Sequence, residues 1–341
     1  MRGRVGVQNT GIAITGSGSA VPATSIKNED LAAIVDTSDE WITTRTGIKT
    51  RRVANTEESL SHLAVSASRH ALAMAGITAM DLDLILLTTS TPDDLFGNAC
   101  QVQAGLGANR AVAFDLTAAC SGFVFGMVTA AQYIRTGVFQ NVLVIGADIL
   151  SRWVDWQDRT TCVLFGDGAG AIVMQANSSD RLLGFELKSD GTQNHYLNLP
   201  YKAQSQELAT GVNVSQGTYQ PITMNGKEVY RFAVQKVPEV IDKALFHANL
   251  TVDNVDWLLL HQANQRILDA VAQRLKIPEH KVISNLAHYG NTSAASIPLA
   301  LDEAVREGKI KPNDIIAASG FGAGLTWGAV IFQWGKEGSR E

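Results

Sequence analysis

The chain has 341 residues, 45% of them hydrophobic and 18% charged, with a net charge of −5. That length suggests two domains or two halves with a large core, and the acidic balance advertises no basic surface for nucleic acid. Cys100, Cys120 and Cys162 are odd in number and widely spaced, which argues against a disulfide framework, for a reducing, cytoplasmic setting and, without Cys/His clustering, against zinc.

The opening stretch, MRGRVGVQNTGIAITG, lacks the continuous apolar run of a signal peptide. Gly11–Gly16 reads as a first strand, closed by Gly and Pro punctuation through Pro22. Asn28–Val35 is predicted as a short helix, and Thr37-Ser38-Asp39 offers an N-cap for a second one carrying Trp41 and Arg45. Over Ser59–Ile77, Leu60, Leu63, Ala64, Ala67, Ala71 and Met74 recur at helical spacing. Asp83–Thr89 has the nearly continuous apolar run of a strand buried on both faces. Ala111–Leu116 is a further strand, followed by an apolar helix that opens at or near Cys120 and stops at Gly137. Unpaired N–H groups at a helix start carry partial positive charge, a setting that favours a thiolate; the alternative for Cys120 is an inert core cysteine. A strand at Asn141–Ala147, a loop rich in Trp and Asp, and Cys162–Met174 follow.

The second half runs through a helix at Gly226–Leu250, a strand at Asp256–Leu260 with His261 directly after it, a strand at Lys281–Leu286, a helix at Asn291–Gly308 and a strand at Asp314–Ala318. It closes on the Gly-rich Gly320–Trp334. Leu116–Ile134 and Ile315–Trp334 are uncharged and long enough for a bilayer. Polar residues, glycines and the lack of basic flanks make them buried core elements instead, so no membrane is expected.

The order repeats. Asp83–Thr88 matches Asp256–His261 at an offset of 173, Cys120 matches Asn291 at 171, and Phe165–Gly170 matches Phe321–Leu325 at 156. Internal similarity implies duplicated α/β units with mostly parallel sheets, divided near 178/179 into a half with the cysteine and a half with His261 and Asn291. Ligand crevices in such units lie beyond the carboxyl ends of strands, which gives Cys120, His261 and Asn291 a physical reason to share one cleft. Each has a plainer alternative: a capping or surface histidine for His261, an N-cap for Asn291, a turn for Gly320–Gly328. Together a thiol at a helix start, a strand-end histidine, an asparagine and a glycine loop make a cysteine acyl-transfer set.

The segments DTSDEWITTRTGI (Asp36–Ile48), FDLTAACSGF (Phe114–Phe123), DRTTCVLFGDGAGA (Asp158–Ala171), LLLHQANQRI (Leu258–Ile267), YGNTSAASIP (Tyr289–Pro298) and GFGAGLTWGA (Gly320–Ala329) resemble β-ketoacyl-acyl-carrier-protein synthase III, the initiating condensing enzyme of type II fatty-acid synthesis in the thiolase superfamily. The resemblance implies a five-layered α-β-α-β-α fold, a homodimer, acyl carrier protein and a short acyl-CoA (most simply acetyl-CoA) as substrates and partners, and no metal or redox cofactor. It implies that Cys120 is acylated, that His261 and Asn291 bind the malonyl thioester carbonyl, and that the N–H groups of Cys120 and Ala323 form an oxyanion hole. Trp41 and Arg159 would sandwich the adenine of coenzyme A, with Thr37, Arg45, Asn264 and Arg266 along the groove. Lys227, Tyr230, Arg231, Gln262 and Ala263 would stand near the pantetheine arm or carrier protein, and Leu95, Phe96 and Leu164 at the acyl pocket. Ala323 replaces the usual middle glycine of its loop, and Arg231 stands where lysine is common. An elongating synthase would need a second histidine, and hydroxymethylglutaryl-CoA synthase a glutamate near Leu95–Asn98, where none stands. A papain-like hydrolase would lack the repeat, and a binding protein on the same scaffold would form no acyl adduct.

Overall fold

The structure, a computed structural model, describes residues 10–336; the part of the signal-peptide reading that precedes Thr10 lies outside them. Ten strands build two sheets: β1 (Gly11–Ala20), β2 (Leu84–Thr88), β3 (Val112–Leu116), β4 (Asn141–Asp148), β5 (Gly168–Asn177), β6 (Leu182–Ser189), β7 (Trp257–Leu260), β8 (Val282–Ile283), β9 (Ile315–Gly322) and β10 (Thr326–Gln333). The first sheet runs β1-β5-β4-β2-β3 and the second β6-β10-β9-β7-β8, the same order with every strand replaced by its successor five places on. In each sheet two pairings are antiparallel and two parallel, so the sheets are mixed rather than mostly parallel: direct hairpin-like joins such as β9–β10 leave no room for a crossover helix.

Seven helices position the site: α1 (Asp39–Thr46), α2 (Leu60–Ala75), α3 (Ala99–Leu106), α4 (Gly122–Arg135), α5 (Gly226–His247), α6 (Gln265–Leu275) and α7 (Ser296–Arg306). Ser38 caps α1 by accepting the Trp41 N–H at 3.1 Å, and Gly47 closes it at φ 81°. α2, with α3 against it, covers the outer face of the first sheet, and α5, with α6, that of the second. α4 and α7 lie between the sheets and touch both, giving five layers. Phe123 and Met127 of α4, Ile297 and Leu301 of α7, Val144 and Ile172 of the first sheet and Ile316, Val330 and Phe332 of the second form one buried cluster. The central helices are therefore apolar on several faces, which is why Leu116–Ile134 resembles a membrane span in sequence.

The duplication has a structural register of 174, linking Ala119 to Ser293, Asn141 to Ile315 and Gly146 to Gly320. Ala119 (φ 47°) and Ser293 (φ 52°) each open a single 3₁₀ turn, Ala119–Ser121 and Ser293–Ala295, that runs into α4 or α7. Each turn packs on the far sheet: a Cβ on Gly146 would meet the Ala294 carbonyl oxygen at 2.1 Å, and one on Gly320 the Cys120 carbonyl oxygen at 3.2 Å. Cys120 thus corresponds to Ala294, not to Asn291 as the offset of 171 suggested, and α7 begins at Ser296, not at Asn291. Lys281–Leu286 is strand only at Val282–Ile283 and turns into a short helix at Leu286–Tyr289. Strand β6 and a solvent-exposed ribbon, Tyr201–Ala209 paired with Val212–Tyr219, were not foreseen.

Candidate active site

Cys120 sits in its 3₁₀ turn two residues before α4 and is 7% exposed. Its sulfur accepts a hydrogen bond from Ser293 Oγ at 3.3 Å. Gly322, at the end of β9, lies so close that a Cβ there would be 2.8 Å from the Cys120 nitrogen and 3.2 Å from the sulfur; only glycine fits. The thiol is not lowered, as its place at a helix start suggested. Burial pushes it up to about 12, against the pull of the Ser293 hydroxyl, while the Asp148 carboxyl pushes it further up.

His261 follows β7, its N–H donating to the Ser319 carbonyl at 2.8 Å and its ring edge-on to Phe321. Its Nδ1 is 2.7 Å from Ser296 Oγ, which also accepts the Gln262 N–H at 3.3 Å. Nδ1 is thus engaged by Ser296, and Nε2 is the ring nitrogen without a partner among the described residues. Burial holds the ring down to about 3, so it is neutral at ordinary pH. Asn291 is bridged to Phe165, with its N–H on the Leu164 carbonyl at 2.9 Å. Its Oδ1 accepts the Ser293 N–H at 2.9 Å, which fixes Nδ2 as the free donor. One short segment, Asn291 to Ser296, therefore carries an amide donor, a hydroxyl on the sulfur and a hydroxyl on the histidine. That linkage brings Cys120, His261 and Asn291 together.

A cavity of about 240 Å³ reaches Cys120, Ser293 and Ala323. Its apolar walls come from Leu95, Leu150, Trp153, Phe165, Leu199 and Tyr219. Most of these walls were not named from sequence; Leu199 precedes the unforeseen ribbon and Tyr219 ends it, and the ribbon's alternation is too polar to signal burial. Leu95 lines the cavity but is 80% exposed, and Phe96 is 100% exposed and outside it. Leu164 does not line it either: the backbone turn that binds Asn291 points Phe165 inward instead.

At the second cluster, Arg45 and Arg159 lie 4.7 and 5.3 Å from the Trp41 ring centroid, both within cation–π range. Arg159 also donates to the Asp36 carbonyl at 2.8 Å. A base between Trp41 and Arg159 has to part them. Thr37 Oγ1 is buried with no partner among the described residues. Asn264 caps α6, accepting the Arg266 N–H at 2.9 Å and donating to the Arg45 carbonyl at 3.1 Å, so its amide ties α6 to α1. Arg266 lies over Tyr230, Lys227 and Arg231 are exposed near the start of α5, and Arg231 is paired with Glu228. Ala263 is half-buried. Gln262 is a correction: it is 1% exposed, with Nε2 on the Leu260 and Ile283 carbonyls and Oε1 on the Asn285 N–H. Its side chain pins β7 to β8 internally and has no surface to offer a carrier protein.

Solved structures that share this architecture include condensing enzymes of the thiolase-like class. A 3-oxoacyl-[acyl-carrier-protein] synthase III from Aquifex aeolicus is 44% identical with a TM-score of 0.87, over 95% of this chain and 100% of that one. The priming β-ketosynthase of the R1128 polyketide pathway is 34% identical with a TM-score of 0.87, over 96% and 97%. The family described as 3-oxoacyl-[acyl-carrier-protein (ACP)] synthase III matches residues 114–191, and its C-terminal part matches 245–334. The β-ketoacyl-[acyl-carrier-protein] synthase III of a Nostoc species is 80% identical over 330 residues, 97% of this chain and 100% of the relative; that of Acaryochloris marina is 69% identical over 325 residues, 95% and 98%. The chain belongs to the β-ketoacyl-acyl-carrier-protein synthase III family.

Proposed function

We propose that this chain joins an acyl-CoA starter, most simply acetyl-CoA, to malonyl-acyl carrier protein, giving acetoacetyl-acyl carrier protein, CO₂ and coenzyme A, and so initiates fatty-acid synthesis. The observation that carries this reading is the single segment Asn291–Ser296, which couples the buried sulfur to the neutral histidine. Cys120 takes the acyl group, with the N–H groups of Cys120 and Ala323 directed at the oxyanion. Removing one such donor costs about 2.7–4 kcal/mol in comparable sites. Decarboxylation of the malonyl thioester leaves an enolate. His261 Nε2–H and Asn291 Nδ2–H are its two uncharged donors, and the carbanion then attacks the acyl-cysteine. Each step runs on thioester chemistry, so no dissociable cofactor is invoked. The division near 178/179 places the nucleophile in one half and both donors in the other. Among the described residues no helix is long and apolar enough to cross a membrane, and we assign the chain to the cytoplasm.

Trp41, Arg45, Arg159 and the Thr37 hydroxyl, which has no partner among the described residues, are read as the site of the coenzyme A nucleotide, with Arg266 and Lys227 on the way to the pantetheine arm. Base–aromatic stacking contributes roughly 1–3 kcal/mol, so Trp41→Ala is expected to raise KM for acetyl-CoA about tenfold with kcat little changed. A kcat loss at constant KM in steady-state assays would refute that placement. The exposed Leu95 and Phe96 and the edge strand β3, with Val112 52% exposed, support a homodimer. Sedimentation equilibrium should give twice the chain mass; a monomer at micromolar concentration sinks the dimer.

A further inference from the structure

Asp148 stands where the duplication would put a glycine. It ends β4 as Gly322 ends β9, in the register that links Gly146 to Gly320. Gly322 is required small by the cysteine turn, and the matching turn around Ala294 meets a carboxylate instead. Asp148 is wholly buried, and among the described residues no lysine or arginine pairs with it. Its Oδ1 accepts Thr89 Oγ1 at 3.1 Å, the Ser90 N–H at 2.9 Å and Thr91 Oγ1 at 2.8 Å. Oδ2 accepts the Ala294 N–H at 3.2 Å, and the hydroxyl of Ser293, the residue just before Ala294, also acts on the carboxyl. That hydroxyl has one hydrogen and donates it to the Cys120 sulfur at 3.3 Å; when it turns to Asp148 instead, the Cys120 S–H takes Ser293 Oγ as its acceptor.

Resting on the assignment of Cys120 as nucleophile, we propose that Ser293 and Asp148 form a proton relay for it, Cys120 Sγ to Ser293 Oγ to the Asp148 carboxylate. When the acyl thioester is attacked, the Cys120 S–H bond breaks and its proton passes to Ser293 as the Ser293 proton passes to Asp148. The acyl–Cys120 bond forms and the acyl–CoA bond breaks; the proton goes back from Asp148 to Ser293, and the Ser293 hydroxyl hands its proton directly to the departing coenzyme A sulfur, because the acylated Cys120 sulfur can no longer carry it. One negative charge is conserved throughout, shared between sulfur and carboxylate. Two buried anions side by side would be far costlier than one. The charge balance has few other members: Asp148 is the charged group acting on Cys120, and His261, the other titratable group here, is neutral. Burial raises both Cys120 and Asp148, which brings the carboxyl toward the range where it can hold a proton.

A shared proton has a signature that a structural role lacks. Within the singly charged state the ratio of thiolate to carboxylate does not depend on pH, so the rate of acetyl transfer from acetyl-CoA, followed by intact mass in single turnover, is expected to be flat from about pH 6 to 9. In Asp148→Asn and Ser293→Ala the thiolate must form by proton loss to solvent, and the rate should climb about tenfold per pH unit. Ser293→Ala suits the backbone, because Ala119 already adopts the same left-handed φ, so it decides the matter even if Asp148→Asn fails to fold. A wild-type rate that climbs steadily, or a Ser293→Ala profile as flat as wild type, overturns the relay. Peptide mapping separates the two levels: acetyl on Cys120 with unaltered profiles sinks the relay alone, and acetyl elsewhere sinks the nucleophile assignment with it.

Discussion

Cys120→Ala is expected to fold normally and to lose acetoacetyl formation by at least about 10⁴-fold, the scale on which sites that act as a unit fail when the nucleophile is removed. The wild-type chain should gain the mass of one acetyl group on exposure to acetyl-CoA, and the variant none. Cys120 is 7% exposed and the substitution removes one sulfur atom beside the existing cavity, so melting temperature should move little. Ping-pong kinetics should accompany the adduct. Retained turnover in Cys120→Ala, or an adduct on Cys100 or Cys162, would remove the acyl-enzyme from the scheme. The same adduct separates a condensing enzyme from a binding protein on this scaffold, and a panel of straight and branched acyl-CoAs read by mass would set the starter preference. The 240 Å³ cavity and the Leu95 and Tyr219 side chains at its wall are the features that preference should follow.

How much of this was legible in the sequence depends on whether the physics was local. Buried strands such as Leu84–Thr88 and amphipathic helices such as Leu60–Ala75 were found within a residue or two, because period and caps are written in neighbouring residues. The duplication was legible from Asp83–Thr88 against Asp256–His261. The active register was not, because the matching elements are two 3₁₀ turns of different composition. Their shared feature, a left-handed residue at Ala119 and Ser293, leaves no trace in residue type. The thiol's shift was misjudged for a related reason. A helix start is local and visible, whereas burial against Gly322 and the far sheet is assembled from distant segments. Gln262 sat inside a motif near a ligand groove, and only the coordinates show both ends of its amide engaged by β7 and β8. Asp148 carried no sequence signal beyond following the predicted strand Asn141–Ala147.

Asn291→Ala and His261→Ala are expected to lose malonyl decarboxylation by about 10²–10³-fold each, the range for deletion of an oxyanion donor, while acetyl transfer falls much less. The reason is geometric: neither Nδ2 of Asn291 nor Nε2 of His261 is engaged within the protein among the described residues, whereas the Cys120 sulfur is served by Ser293. The histidine donates as a neutral ring held down to about 3, so decarboxylation should show no histidine limb between pH 5 and 9. The same shift has a cost in acid. The folded value lies below the unfolded one of 6.5, so between about pH 3 and 6.5 the unfolded chain holds the extra proton. The neutral ring's contribution is complete above that window and is lost as pH falls through it. His261→Gln should therefore flatten the acid side of the stability curve in urea titrations while abolishing decarboxylation. If acetyl transfer collapses before decarboxylation in Asn291→Ala, or a limb near 6.5 governs the decarboxylation rate, the two donors serve the nucleophile and not the enolate.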